Sequence, residues 1–232
     1  MPAARRAGRR NASKQDRHLR AAVIAVCQRL DARGLVAGAE GNVSVRVGAR
    51  VLVTPAGARK GRVRARDLVM VDLNGARTRS GDVPSSELAM HLAIYRARPD
   101  VGSVVHAHPV AATAFAVARR PLPSNALAEV AGVIGPVPLV PYRQPGSPEL
   151  ARVVGRALRN ANAALLVNHG AVTVGQNPDA ALSLMESLEQ AARIMVSVHI
   201  LGGVAPLNAQ QLRDLEAARM GTETRARTRR RT

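Results

Sequence analysis

An α/β layered domain with a mixed sheet is the fold this sequence predicts, and three observations predict it. Strand-like runs and helical periodicities alternate along the chain after a β-rich start. The 232 residues suit one ordinary to large domain, with no internal repeat and no long linker. Hydrophobic residues make up 47% and aromatics only 1%, so a real core is expected, built from Ala, Val, Leu and Ile.

The elements follow in order. QDRHLRAAVIAVCQRLDARG reads as an amphipathic helix, with Leu19, Val23, Val26 and Leu30 near helical spacing and Gly34 as C-cap. GLVAGAEGNVSVRVG passes from a flexible loop into alternating Val43, Val45 and Val47, a strand. RVLVTP is a second strand closed by Pro55, and DLVMVDLNG a third ending in an Asn74-Gly75 turn. PSSELAMHLAIYRARPD is a helix with Ser85 as N-cap, Glu87 in its first turn and Pro99 beyond its end. A strand VGSVVHAH, a helix PVAATAFAVARR, a strand PVPLVP, a helix SPELARVVGRAL and a strand ALLVNHG come next. NPDAALSLMESLEQAARIMVSVHI is a long final helix.

The formal net charge of +18 suggests a nucleic-acid partner, but its distribution argues against a specific one. Residues 1–20 carry a net +6 and residues 221–232 a net +4, in the tails MPAARRAGRR and RARTRRR. Residues 1–14 and 213–232 are expected to be disordered basic tails, with the domain between them at 15–212. No run of about 18 apolar residues predicts a membrane span, and no apolar stretch follows the basic N-terminus as in a secretory signal. The single Cys27 cannot form an internal disulfide, which fits a reducing cytoplasm.

Chemistry first surfaces in SVVHAHP. Residues i and i+2 of a strand share a face, so His106 and His108 would project together, and Pro109 would end the ladder. An isolated H-x-H is more often a solvated pair than two thirds of a metal site. His169, in ALLVNHGAV, lies in a similar setting at a strand end, and three such imidazoles give a metal site with an open position. Glu87 sits at a helix start after two serines, where an anion is favoured, and is the candidate acid/base group; its plainer role is an ordinary first-turn Glu. His18, His91 and His199 are weaker candidates. His91 follows Glu87 by four residues on the same helix face, which suggests support or packing rather than ligation.

The segments GAEGNVSVR, VLVTPAG, VPSSELAMHLAIYRARPDVGSVVHAHPVAATAFA, VPYRQPGSPELA and LLVNHGAVTVG occur in this order across roughly residues 20–200. Together they resemble the class II aldolase/adducin family, typified by L-fuculose-phosphate aldolase. The resemblance implies a single α/β/α layered domain with a central mixed, largely antiparallel sheet, one Zn²⁺ per subunit and a homotetramer. It further implies that His106, His108 and His169 are metal ligands, that Glu87 is the catalytic acid/base, and that Asn42, Gly57, Ser85 and Ser86 bind the substrate phosphate.

The sequence also departs from the family's pattern. Ala39 and Ala56 replace two hydroxyl residues of the phosphate loops, and Lys60 and Arg59 are the nearby cations that could compensate. Leu127 stands where the aldolase type has one tyrosine, and Tyr95 and Tyr142 are the chain's only tyrosines, so a C-terminal one is lacking. Tyr142 is expected to shape the pocket. NALAEVAGV lacks the Asp of the epimerase branch, which disfavours epimerase chemistry. Its Glu129 is either a second acid/base group, as in the dehydratase branch, or a solvated helix residue. The expected function is a zinc-dependent aldolase cleaving a small ketose 1-phosphate or related hydroxy-carbonyl compound. A decarboxylase, a dehydratase and a non-catalytic adducin-like module are the alternatives.

Overall fold

Backbone is described for residues 2–78 and 83–228 of this computed structural model, and side chains for residues 15–78 and 83–218. The first helix, α1, runs Pro2–Ala32. Strands β1 (Asn42–Val47), β2 (Arg50–Val53) and β3 (Val69–Asp72) form an antiparallel meander. Helix α2 (Leu88–Ala97), strand β4 (Ser103–Ala107) and helix α3 (Val110–Val117) follow. Then come β5 (Leu139–Val140), α4 (Pro148–Ala157), β6 (Ala163–Leu166), β7 (Gly170–Gly175), α5 (Pro178–Ile200) and α6 (Ala209–Thr228).

The seven strands form one sheet in the order β3-β2-β1-β4-β7-β6-β5. Every neighbouring pair is antiparallel except β5 with β6, so the sheet is mixed and largely antiparallel. Alternation along the strands feeds two cores. Val43, Val45, Val105 and Ala107 pack against α1, α3 and α5, whereas Val51, Val53, Val104 and Val172 pack against α2 and α4. This is the expected α/β/α layering. Asn42, Ser44 and His106 alternate out of the first core and face α2.

Four local differences from the sequence reading have physical reasons. The NHG segment is a turn between two strands, with Asn168 at φ 56° and His169 N–H donating to the Leu166 carbonyl at 3.0 Å. Asn tolerates that left-handed conformation, and the chain folds back into β7, which pairs with both β4 and β6. Strand β5 keeps only two residues, because Pro136, Pro138 and Pro141 around it cannot donate to a ladder. Glu87 rather than Ser85 occupies the N-cap of α2, since Ser85 instead closes the preceding turn: its carbonyl accepts the Leu88 N–H at 3.0 Å. Glu129 precedes a π-helical turn, Val130–Ile134, not a regular helix.

The stretches read as tails, 1–14 and 213–232, overlap α1 and α6. The side chains of residues 1–14 and 219–232 lie outside the described residues. Among the described residues no helix is long and apolar enough to cross a membrane.

Candidate metal centre and its carboxylate

The end of β4 and the β6–β7 turn meet because β4 and β7 are neighbours, with His106 opposite Val172 and Ala107 opposite Ala171. That pairing needs a glycine after His169. A Cβ at Gly170 would lie 2.6 Å from the Ala107 carbonyl oxygen and 2.6 Å from His108 Cδ2. Gly41, at φ 69°, gives the neighbouring loop a similar close approach, its Cβ position being 2.7 Å from the His106 carbonyl oxygen. The result is a trio of imidazoles: ring centroids are 4.9 Å apart for His106–His108, 4.7 Å for His106–His169 and 5.1 Å for His108–His169. Their ligand atoms all lie within 4.8 Å of one another.

Each ring is set by its partners. His106 is fully buried, and its Nδ1–H donates to the Ala171 carbonyl at 2.8 Å, which turns Nε2 toward the other rings. His106 Nε2 and His108 Nε2 are 3.2 Å apart, while His108 Nδ1 lies 3.5 Å from Glu40 Oε2. Glu87 enters from the N-cap of α2. Its Oε2 is 3.0 Å from His106 Nε2, and its Oε1 is 3.4 Å from His169 Nε2. Burial would raise the Glu87 pKa, but the His106 charge and hydrogen bond, the His169 charge and the Asn42 amide hold it well below the usual carboxylate range. Burial pushes His106 down, and the Glu87 charge and hydrogen bond outweigh it, so His106 is raised. His169 is pushed down to about 4 by burial and by the His106 charge.

This donor set fits a divalent cation. Three imidazole nitrogens and a carboxylate converge, and Glu87 Oε1 and His169 Nδ1 are buried with no hydrogen-bond partner among the described residues. Three histidines leave further coordination positions for a substrate.

The residues expected around a phosphate are divided. Asn42 is 4% exposed and spends its amide on Glu87, with Nδ2 donating to Oε2 at 2.9 Å. Ser85 is buried, and its Oγ accepts the Glu87 N–H at 3.3 Å. Gly57 and Ser86 are exposed on two loops. Those loops are tied together by Ala56 N–H to the Val83 carbonyl at 2.9 Å and Ser85 N–H to the Thr54 carbonyl at 3.1 Å. Lys60 is 1% exposed, and its ammonium donates to the Ala39 and Ala58 carbonyls, one from each of the loops that lost a hydroxyl. Burial lowers its pKa. Arg59 is exposed.

Other candidates lie elsewhere. Glu129 and Leu127 line a separate cavity of about 500 Å³ with Arg33, Glu186 and Arg193, and none of the three histidines lines it. Tyr142 is 48% exposed. His199 Nδ1 donates to the Met195 carbonyl at 2.7 Å within α5, and His18 is exposed on α1. Neither joins the trio.

Reading the sequence left Ser44, Glu40 and Tyr95 without a place at this site. Ser44 follows Asn42 by two residues and Tyr95 follows His91 by four, so strand and helix spacings were the available signals. No local pattern pointed to Glu40.

Comparison with known proteins agrees with this geometry. Residues 21–196 match the family described as class II aldolase and adducin N-terminal domain. The chain is 34% identical to an L-fuculose phosphate aldolase of Escherichia coli over 185 residues, 80% of this chain and 86% of that one. It is 34% identical to a 3-oxo-tetronate 4-phosphate decarboxylase of Haemophilus influenzae over 171 residues, 72% of this chain and 81% of that one. A solved L-fuculose 1-phosphate aldolase superposes with a TM-score of 0.81 at 29% identity, covering 86% of this chain and 95% of that chain. A sheet of this topology, a histidine trio at its centre and a sequence match over most of the length place the chain in the class II aldolase and adducin N-terminal domain family.

Proposed function

We propose that the chain is a zinc-dependent, cytoplasmic lyase that cleaves a small ketose 1-phosphate or related hydroxy-carbonyl compound by retro-aldol chemistry. The observation that carries this reading is the convergence of three imidazole nitrogens beside a buried carboxylate. A non-catalytic module has no use for that constellation. His106, His108 and His169 would hold the cation, which when bound would supply Lewis-acid polarisation of the substrate's oxygens.

The remaining steps belong to this chain's own side chains. During cleavage the ionised Glu87 takes the proton of the hydroxyl beyond the scissile bond, that oxygen becomes the aldehyde carbonyl, and the carbon–carbon electron pair passes into the ketose carbonyl. Glu87 delivers a proton to the resulting enediolate carbon, and in the condensation direction it removes that proton. Ser85 and Asn42 orient Glu87, and the loops carrying Gly57 and Ser86 receive the charged end of the substrate. Lys60 stiffens both loops from behind. Cys27 takes no part: burial pushes its thiol up to about 12. A homotetramer belongs to the same reading, by analogy with the family.

A decarboxylase is the second reading, favoured by the similarity to the 3-oxo-tetronate 4-phosphate enzyme. Loss of CO₂ from a 3-oxo acid leaves the same kind of enolate for Glu87 to protonate. A screen of phosphorylated substrates with Zn²⁺ present separates the two. Dihydroxyacetone phosphate plus an aldehyde supports the aldolase, released CO₂ supports the decarboxylase, and no turnover of either class overturns both. Glu87→Gln is expected to keep the metal and lose about 10²- to 10⁴-fold in turnover. Full activity in that variant would remove Glu87 from the mechanism.

A further inference from the structure

We propose that His91 is a positioning residue that acts through Asn42 to fix which oxygen of Glu87 exchanges the proton. The inference rests on Glu87 being the acid/base group. It starts from a row of buried polar side chains of which the steps above use only Glu87 and Asn42.

The row runs along the seam between β1 and α2. Tyr95 OH is 2.8 Å from Ser44 Oγ, and Ser44 Oγ is 2.6 Å from His91 Nδ1. His91 Nε2 is 2.5 Å from Asn42 Oδ1, and Asn42 Nδ2 is 2.9 Å from Glu87 Oε2. Glu87, His91 and Tyr95 stand four residues apart on one helix face, and Asn42 and Ser44 two apart on one strand face. Four helical residues advance about 6 Å and two strand residues about 6.7 Å, so the two sets interleave.

The direction of every bond in the row follows from its end. An ionised Glu87 only accepts, so Asn42 must present its NH₂ to Oε2 and its carbonyl to His91. His91 must then carry its proton on Nε2, which leaves Nδ1 to accept from the Ser44 hydroxyl. Ser44 in turn accepts from Tyr95. All donors point toward the carboxylate, and such a chain polarises cooperatively. It is not a proton conduit, because the Asn42 amide cannot pass a proton on.

What the row does is fix Oε2, which accepts from Asn42 Nδ2 at 2.9 Å, and so set the direction of Oε1, which has no hydrogen-bond partner among the described residues and lies 3.4 Å from His169 Nε2. Oε1 is therefore the atom that carries the proton to and from the substrate carbon. Without His91, Asn42 is free to rotate and Glu87 loses its fixed orientation.

Two measurements test this. Long-range ¹H–¹⁵N spectra of the metal-free protein at neutral pH read the His91 tautomer without any assay of turnover. A protonated Nε2 with a bare Nδ1 is expected; a protonated Nδ1 reverses the row and overturns the proposal. The second measurement compares His91→Leu with His91→Gln, whose amide can still donate to Asn42 Oδ1. Leu is expected to lower kcat by about tenfold or more with KM within about threefold, and Gln to recover most of that loss. Wild-type kcat in His91→Leu, or equal damage by Gln and Leu, marks His91 as packing only. If His91→Leu does not fold, the tautomer and the Gln variant decide. If the wild-type protein turns over no lyase substrate, the lyase reading fails while the tautomer still tests the row.

Discussion

A single buried imidazole carries a pH dependence that its neighbours make measurable. His91 is 0% exposed, and burial, aided by the His106 charge and opposed by Glu87, pushes it down to about 3. The unfolded chain protonates this residue near pH 6.5, while the folded chain resists. Its contribution to stability is therefore complete above pH 6.5 and is lost as the pH falls toward 3. Glu87, held low in the fold, likewise contributes above its unfolded value and loses that contribution in acid. His106 runs the other way, because its raised pKa favours the fold below pH 6.5 and the gain fades as the pH rises through the raised value. Urea titrations of the metal-free protein between pH 7 and 5 are expected to show stability falling with acid. Each proton excluded from the fold contributes up to about 1.4 kcal/mol per pH unit. His91→Gln, which cannot titrate, should make that slope shallower. An unchanged slope would mean the native ring is already charged.

Strands, helices and turns differ in how far the sequence exposes them. The Val43-Val45-Val47 alternation and the helical periodicity around Val23 and Leu30 mark elements with one apolar face, and β1 and α1 appear where those periods lie. The H-x-H pair was legible for the same reason, since a period of two needs no tertiary knowledge. Strand β7 was not. Its residues GAVTVG begin at the glycine of NHG, and only the left-handed Asn168 and the pairing with β4 reveal a separate strand beside the sheet's centre. The position of Glu129 was also beyond reach, because a π-turn and a remote cavity depend on long-range packing. Where β4 and β7 touch, a single Cβ is expected to be costly. Gly170→Ala must push the Ala107 carbonyl or the His108 ring aside, which overpacking makes worth about 1–3 kcal/mol. Thermal melts and zinc titration should show a lower Tm together with weaker metal binding. A normal Tm with full affinity would mean the sheet relaxes there at no cost.

Across the whole molecule, the proposed metal ligands join segments far apart in the chain: His106 lies near the end of β4, His108 just beyond it, and His169 in the β6–β7 turn. An ion held by all three binds the folded state and not the unfolded one. At a free concentration 100 times its Kd it adds about 2.7 kcal/mol. For a chain of this length that corresponds to a rise in Tm of about 5–11 °C. The formal charge of +18 opposes a cation's approach, but the local field is set by Glu87 and Glu40, which face the trio, while a net +10 lies in residues 1–20 and 221–232. Calorimetry should therefore show a higher Tm with Zn²⁺, reversed by a chelator and retained after both basic ends are removed. In His106→Ala the increment should vanish, because two remaining imidazoles on separate segments no longer make a site. An equal rise in that variant would show that the ion binds elsewhere, and the three histidines would lose their assigned role.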